Sequence, residues 1–347
     1  MTVYHKILKR QDTKANWARL NPVLLQGEDG IETDTRRTKT GNGSAAWNSL
    51  PYNDDEERIT SMLLRGIYRG VNLQEKFANE IAGYSSVADW LHARCQANNF
   101  EGIHPFDYFY DTTVAQTVDG TTVAGGQQRK CVIAAIDPYY NTGDTDMPHH
   151  LTIFAGLSAA NVVFNTINNN NGSSYNANPF KASKLYAVLN GVNNATTNHI
   201  GAVGFDGSGG CYLNTFSSAL RNRMVEQRCF LPQRYDANNT LTDHTGWNWD
   251  GRGMLFAPSE IEAYGCLIHS NKPTMTQINP EGFGPYSQWD IFKTAAGRLL
   301  FGRTNFWLSS VTGGGSTYAC YVDGYGVAYC LNTSSAGFRA PLCFHIA

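Results

Sequence analysis

The chain has 347 residues, a length that allows about two or three domains. Hydrophobic residues make up 42% of it and charged residues only 16%, so it can bury a sizeable core. The formal net charge is −2, which gives no bulk attraction to nucleic acid and disfavours a polyanionic partner. There is also no apolar run near the roughly 18 residues of a transmembrane helix, so membrane insertion is not expected.

Eight cysteines are scattered along the chain, and none belongs to a Cys-x-x-Cys pair. Zinc binding is therefore not expected. Because the sequence begins without the apolar segment of a signal peptide, we expect synthesis in a reducing cytosol. The cysteines are then predicted to be buried thiols, and a Cys320–Cys330 disulfide across a hairpin is the geometrically conceivable alternative.

Residues 1–52 form the first predicted part, in which short strands alternate with Gly and Asn turns. Two tryptophans and few other large apolar residues make a poor core for a solitary segment of this size. The stretches Trp17–Thr35 and Lys39–Tyr52 resemble the N-terminal module of phage tail-fibre and tropism-determinant proteins. That resemblance implies a small β module that trimerises and fastens the chain to other virion proteins.

Residues 53–82 are predicted to form a short helical connector. Asp54 and Glu57 have the spacing of a capping box at the start of a helix. A second helical piece is predicted over 73–81, and Gly83 ends it. The first helix carries an apolar stripe of Ile59, Met62, Leu63 and Ile67. This stripe either packs on the following domain, which we favour, or forms a short three-chain coil.

Local signals mark several elements in residues 83–347. Ser86 and Asp89 form a capping signature for a helix, and Ser259 and Glu262 form a second one with Gly265 as the stop. The other predicted elements are a strand pair around Asp119-Gly120, a buried central strand over 131–136 and a helix over 212–227.

The closing segment, residues 306–346, is predicted to be a hairpin and a returning strand. Its arms are residues 316–322 and 325–331, joined by a tight Asp323-Gly324 turn. On the second arm alternate residues share a face: Tyr325, Val327, Tyr329 and Leu331. On the first arm, Thr317 and Tyr321 face outward if Tyr318 faces the core, and the opposite assignment is equally open.

Three parts of this closing segment, residues 306–310, 312–317 and 338–344, resemble a C-type-lectin-like domain of phage proteins. In some relatives, the variable proteins of diversity-generating retroelements, this segment faces the ligand. The resemblance implies an α+β chain with a trimerising β module (1–52), a helical connector (53–82) and a C-type-lectin-like ligand-binding domain (83–347). We assign five residues to its scaffold: Trp307, Leu308, Arg339, Pro341 and Phe344. One buried arginine is expected in that scaffold. The candidate receptor-binding residues are Ser316, Thr317, Tyr318, Tyr321, Asp323, Tyr325, Tyr329, Asn332, Ser334 and Ser335.

Metal binding is the main competing use of the polar residues. His149 and His150 lie near Asp144 and Asp146. Adjacent histidines on a strand point to opposite faces, although on a loop both could ligate one ion. We expect a structural role and no metal or other cofactor. The Glu-Pro-Asn and Trp-Asn-Asp motifs of calcium-dependent lectins do not occur near the end of the chain.

The sequence therefore predicts a phage tail-fibre or receptor-binding protein that adheres to a host surface protein or glycan without chemistry. It would be made in the host cytoplasm, form a homotrimer and lie on the particle surface. One alternative is a head fibre or capsid decoration protein that binds glycans or mucus. A less favoured alternative is an enzyme on the related formylglycine-generating fold, which needs a reactive cysteine pair or a copper site.

Overall fold

A computed structural model describes residues 9–169, 178–191, 210–232, 247–270, 287–312 and 317–347, without the side chains of 230–232 and 247–248. These residues form an α+β fold, as the sequence predicts. The chain separates into two compact units, Met1–Tyr68 and Arg69–Ala347. The finer division at residues 52 and 82 stays a prediction.

The first unit is a small three-stranded sheet with a tryptophan core. Its strands follow the order β1-β2-β3, with β1 parallel to β2. Trp17 and Trp47 stack with ring centroids 4.1 Å apart. Gly30 lies against them, since a Cβ there would approach Trp47 to 2.5 Å. The elements are β1 (Arg10–Asp12), α1 (Lys14–Leu20), β2 (Asp29–Glu32), β3 (Thr38–Thr40), a 3-10 helix (Trp47–Ser49) and α2 (Asp55–Leu64).

Helix α2 begins where the sequence predicts, but not with the predicted cap. The side chain of Asp54 makes no capping hydrogen bond. Instead Asp54 and Asp55 pair with the guanidinium of Arg37. None of the residues of α2 is fully buried; Ile59, Met62 and Leu63 of the apolar stripe are half-buried, and Ile67, which lies beyond the helix, is exposed.

The second unit is built around one large mixed sheet. Its first half contains α3 (Leu73–Lys76), α4 (Ala78–Ile81), α5 (Val87–Gln96), β4 (Tyr108–Thr112), β5 (Gln116–Val118), β6 (Thr121–Val123), β7 (Gln128–Ile136) and β8 (Leu151–Asn161). Its second half contains α6 (Lys184–Asn190), a 3-10 helix (Tyr212–Thr215), α7 (Ser218–Arg221), β9 (Met224–Val225), β10 (Arg228–Pro232), β11 (Trp247–Gly251), α8 (Glu260–Tyr264), a 3-10 helix (Asp290–Lys293), α9 (Ala295–Arg298), β12 (Phe306–Val311), β13 (Tyr318–Val322), β14 (Ala328–Asn332) and β15 (Arg339–Ile346).

The order of the large sheet is β14-β13-β12-β15-β8-β7-β4, and β9 also pairs with β15. Phe306 and Trp307 are consecutive in β12 and therefore point to opposite faces. Phe306 packs toward Phe154, whereas Trp307 lies 4.1 Å from Phe338 between ring centroids. Both faces are thus apolar and covered at this point, and β14 is left as an edge strand of the described sheet.

Four local predictions for the second unit are confirmed. Ser86 caps α5 by accepting from the N–H of Asp89. Asp119 and Gly120 both have positive φ in the turn between β5 and β6, as a primed hairpin turn requires. The predicted buried central strand is β7. The capping box of Ser259 and Glu262 starts α8 with both hydrogen bonds formed, and Gly265 ends it with φ 77°.

Two predicted helices are wrong in their extent. Residues 212–227 form a 3-10 helix, then α7, then β9, because Phe216 is extended and buried and Met224 pairs with β15. Residues 73–81 form two short helices rather than one. The break is at Phe77, whose ring packs 5.0 Å from that of Trp90 between centroids.

Candidate functional site: the closing hairpin

The loop between β13 and β14 has five residues, 323–327, rather than the predicted two-residue turn. Val322 pairs with Ala328, and the carboxylate of Asp323 accepts the N–H groups of Tyr325 and Val327, each at 2.8 Å. The positive φ that such a loop needs is at Gly326 (81°). Asp323 therefore organises the loop through Oδ1, which accepts both backbone donors.

The rest of the second unit holds this loop in place. The carbonyl of Gly326 accepts from Arg298 Nε at 2.8 Å and from the hydroxyl of Tyr264 at 3.3 Å. The side chain of Asn305 accepts from the N–H of Gly324 at 2.8 Å. A loop anchored at two points can present its outward side chains at low entropic cost on binding.

The predicted contact residues differ in accessibility. Tyr325 is 74% exposed, Tyr329 54% and Tyr318 41%. Ser334 is also exposed. Thr317, Asp323, Asn332 and Ser335 are half-buried. Ser316 lies outside the described residues.

Tyr321 is the member of the set that the structure places inside. It is only 8% exposed, and its ring lies 4.5 Å from Phe338 and 6.0 Å from Trp307 between centroids. Burial raises the pKa of its hydroxyl. Its ring also lies 5.7 Å from that of Tyr329. Tyr321 is therefore a buried cross-strand neighbour of Tyr329, and we remove it from the contact surface.

Two aliphatic residues complete the exposed side of the hairpin. Val327 is 56% exposed and Leu331 is 38% exposed, beside Tyr325 and Tyr329. The candidate contact residues predicted from the sequence are tyrosines and small polar residues. They include neither of these two aliphatic residues. The alternation predicted for the second arm already placed Val327 and Leu331 on the same face as Tyr325 and Tyr329. We call Tyr325, Val327, Tyr329 and Leu331 the hairpin patch. Tyr318 is opposite Asn332 and lies on the other face of the hairpin, with Cys320.

Most of the assigned scaffold residues are buried in the sheet. Trp307, Leu308 and Phe344 are 0% exposed, and Trp307 Nε1 donates to the carbonyl of Val162 at 2.7 Å. Arg339 is only half-buried and donates to the carbonyl of Ser158 at 2.9 Å.

Among the described residues of this unit, the buried arginine is instead Arg252, which pairs with Glu262. Although burial disfavours its charge, the Glu262 carboxylate raises the pKa of the Arg252 guanidinium. The sequence carried no local signal for this pairing.

The histidines considered as metal ligands are engaged in other contacts. His149 bonds Asp137 through Nδ1 at 2.5 Å, and its ring stacks on Tyr140 at 3.8 Å between centroids. His150 is buried, whereas Asp144 pairs with Arg228. Among the described residues there is no group of three or more His, Cys, Asp or Glu side chains suited to a metal ion.

A separate cavity of about 540 Å³ opens on the same unit. Its described lining contains no acidic residue. Lys130 Nζ lies 3.7 Å from the ring centroid of Tyr108, forms no ion pair with a described residue, and has its pKa lowered by burial. The guanidinium of Arg129 is occupied by Thr215. The lining residues are Thr113, Gln128, Arg129, Lys130, Ala155, Gly156, Leu157, Ser158, Phe301, Thr304 and Arg339.

Comparison with known families identifies one part of the chain. Residues 7–45 match the family described as the major tropism determinant N-terminal domain. The N-terminal residues are thus similar to a phage tropism-determinant-type module, which agrees with the resemblance stated from Trp17–Thr35. No curated protein and no solved structure matches the chain. Within the described part of the chain, no helix is both long enough and apolar enough to cross a bilayer.

Proposed function

We propose that this protein is a phage virion component whose second unit binds the host-cell surface through the hairpin patch, without a chemical step. The observation that carries the proposal is the patch itself. Two exposed tyrosines, Tyr325 and Tyr329, and two exposed aliphatic side chains lie on an anchored edge hairpin. Tyrosine provides a large contact area at small entropic cost and is enriched among binding hot spots. The match at residues 7–45 supports the phage assignment.

The test is adsorption of the purified protein to host cells. Replacing a tyrosine that forms a hot spot should cost about 2 kcal/mol of binding or more. We expect this loss for Tyr325→Ala and Tyr329→Ala. The matched control is Tyr84→Ala, because Tyr84 is 44% exposed elsewhere on the second unit. Unchanged adsorption of both patch variants would exclude the hairpin as the receptor surface.

We also propose that the second unit is a C-type-lectin-like domain. Support comes from the residues of the family motif, since Trp307, Leu308 and Phe344 lie in the core of the large sheet. An experimental structure of the whole chain, including residues 271–286 and 313–316, tests this assignment. A different connectivity of the closing strands would rule it out.

A homotrimer that attaches to other virion proteins through residues 1–52 is part of the same proposal. Three aliphatic side chains between residues 9 and 52 are strongly exposed: Leu20 (54%), Val23 (52%) and Leu25 (75%). Contact with further copies of the chain would cover such residues. Three hairpin patches on one particle component would bind a cell with higher avidity than a single patch.

The cavity favours a second candidate function, adhesion to an acidic glycan by a head fibre or decoration protein. Lys130 has no acidic partner among the described residues and lies beside an aromatic ring, and Arg339 also lines the cavity. Calorimetry with glucuronate, and with glucose as the neutral control, tests this function. We expect binding of glucuronate that Lys130→Met weakens at least tenfold, whereas Lys293→Met leaves it unchanged. Equal or absent binding of the two sugars would exclude it.

An enzyme and an adhesin are distinguished by whether the bound ligand is chemically changed. Incubation with host cells and purified host glycans should leave the glycans intact while the protein stays bound. Release of a new product over repeated cycles would support the enzyme alternative instead.

A further inference from the structure

Two cysteines are direct cross-strand partners in the closing hairpin. Cys320 of β13 is paired with Cys330 of β14 in the sheet register. In antiparallel strands, opposite residues alternate between hydrogen-bonded pairs and non-hydrogen-bonded pairs. Which type a cysteine pair occupies decides how closely its side chains approach.

The hydrogen bonds at the two ends of the hairpin determine the type. Thr333 N–H donates to Thr317 O at 2.8 Å, and Asp323 N–H donates to Val327 O at 2.9 Å. Both pairs are therefore of the hydrogen-bonded type. Every second pair between them, Ala319–Leu331 and Tyr321–Tyr329, is of the same type. Counting inward from either end places the cysteine pair in a non-hydrogen-bonded position.

A non-hydrogen-bonded position suits a disulfide. Its Cα atoms are about 4.5 Å apart and its side chains approach more closely than in the other type. Disulfides span Cα separations of roughly 4.4–6.8 Å, so the backbone need not move far. Cys320 and Cys330 also share one face of the sheet because they are opposite each other.

The two thiols differ in access to solvent. Cys320 is 0% exposed, and its burial, together with the Glu260 carboxylate, raises the pKa of its thiol well above the ordinary value. That carboxylate is held by the N–H groups of His269 and Ser270. Cys330 is only half-buried. An external oxidant can therefore reach Cys330 first, while its cross-strand partner Cys320 is buried.

We infer that Cys320 and Cys330 form a cross-strand disulfide when the protein meets an oxidising medium. The inference rests on the proposed function in one respect, since a virion component leaves the reducing cytosol in which it is made. The disulfide would join the edge strand β14 covalently to β13. It would thereby hold Tyr329 and Leu331 of the hairpin patch in place.

The chemistry balances with glutathione disulfide as the oxidant. The thiolate of Cys330 attacks one sulfur of glutathione disulfide, whose S–S bond breaks, and one glutathione thiolate leaves. The sulfur of Cys320 then attacks that of Cys330 and releases the second glutathione, and the two thiol protons of the protein are taken up, through solvent, by the two departing glutathione thiolates. Two protein thiols are oxidised and one glutathione disulfide is reduced to two glutathiones. Burial raises the pKa of Cys330, so the first step should be faster at alkaline pH.

The experiment treats the full-length protein with glutathione disulfide, alkylates it in denaturant and digests it with trypsin. Both cysteines lie in the same tryptic peptide, residues 304–339, which contains no other cysteine. We expect this peptide to lose two hydrogens and carry no alkyl group. The melting temperature of the oxidised protein should rise by several degrees. After reduction with dithiothreitol, both changes should reverse.

Two variants make the result specific. Cys330→Ser replaces the half-buried partner and should abolish the rise in melting temperature. Cys266→Ser replaces an exposed cysteine outside the hairpin and should leave it intact. The inference is overturned if the parent peptide still carries two alkyl groups after oxidation, or if Cys330→Ser shows the same rise. Neither result would affect the proposed function, which is judged by adsorption of the tyrosine variants.

Discussion

The guanidinium of Arg252 and the carboxylate of Glu262 meet through two hydrogen bonds, Nη1 to Oε1 at 2.7 Å and Nη2 to Oε2 at 2.8 Å. Both side chains are buried. Glu262 also accepts from the hydroxyl of Tyr139 and from the N–H of Ser259, where it completes the capping box of α8. One carboxylate thus joins the N-cap of α8, Tyr139 in the connection between β7 and β8, and Arg252 just after β11.

Removing Arg252 should destabilise the second unit strongly. Arg252→Met leaves the Glu262 carboxylate buried without its counter-ion, and losing one partner of a buried pair costs about 3–5 kcal/mol. Denaturant unfolding of the full-length protein measures the change. Arg228→Met is the matched control, because it breaks the exposed pair with Asp144 and should have a much smaller effect. Equal effects of the two variants would contradict the structural role given to Arg252.

Substitution of Tyr321 should reduce stability, whereas substitution of Tyr329 should reduce binding. Tyr321→Ala leaves a cavity beside Trp307 and is expected to cost about 3 kcal/mol of stability. Tyr329→Ala should change stability by no more than about 0.5 kcal/mol, because its ring is mostly in solvent, yet it should weaken adsorption to host cells. Melting temperature and adsorption are measured in parallel. A Tyr321 variant as stable as the parent would show that its ring is not part of the core.

Acidification should destabilise the second unit through two buried imidazoles. His150 and His345 lie 5.2 Å apart between ring centroids, and neither Nε2 has a hydrogen-bond partner among the described residues. Burial lowers the pKa of both rings below the ordinary value of 6.5, and the proximity of His150 lowers that of His345 further. Below pH 6.5 the unfolded chain therefore binds protons that the folded protein does not, so stability present above that pH is lost as the pH falls.

The loss should approach about 1.4 kcal/mol per pH unit for each histidine that stays neutral in the folded protein. Denaturant unfolding at several values between pH 7 and pH 5 measures the slope. His345→Phe removes one of the two titrating groups and should make the slope shallower, whatever its effect on stability at pH 7. A slope unchanged by this replacement would show that His345 does not cause the acid sensitivity.

The exposed leucines of the first unit should hold the trimer together. Light scattering of the full-length protein is expected to give the mass of three chains. Leu25→Lys should shift the measured mass toward that of one chain, because a buried trimer contact cannot accommodate an unpaired charge. Gln26→Lys places the same charge on the neighbouring exposed residue and should leave the trimer intact. A monomeric parent protein would refute the trimer itself.

Several features followed from the sequence because neighbouring residues determine them. Ser86 finds the N–H of Asp89 three residues away, and Ser259 and Glu262 satisfy each other's backbone groups within one turn. The turn at Asp119-Gly120 needs only two residues that tolerate positive φ. The α+β class was implied by the family resemblance, and alternation placed Tyr325 and Tyr329 on one face without deciding whether that face is exposed.

Other features depend on residues far apart in the chain, and only the tertiary structure decided them. The periodicity of residues 212–227 matches a helix, but Phe216 packs against Phe344 and Met224 pairs with β15. Strand alternation left the orientation of Tyr321 open until Trp307 and Phe338 covered one face of β13. Local sequence specifies caps and turns because their hydrogen bonds close within a few residues. Burial of a side chain depends on which distant segments pack against it and exclude water. No short stretch of sequence contains that information.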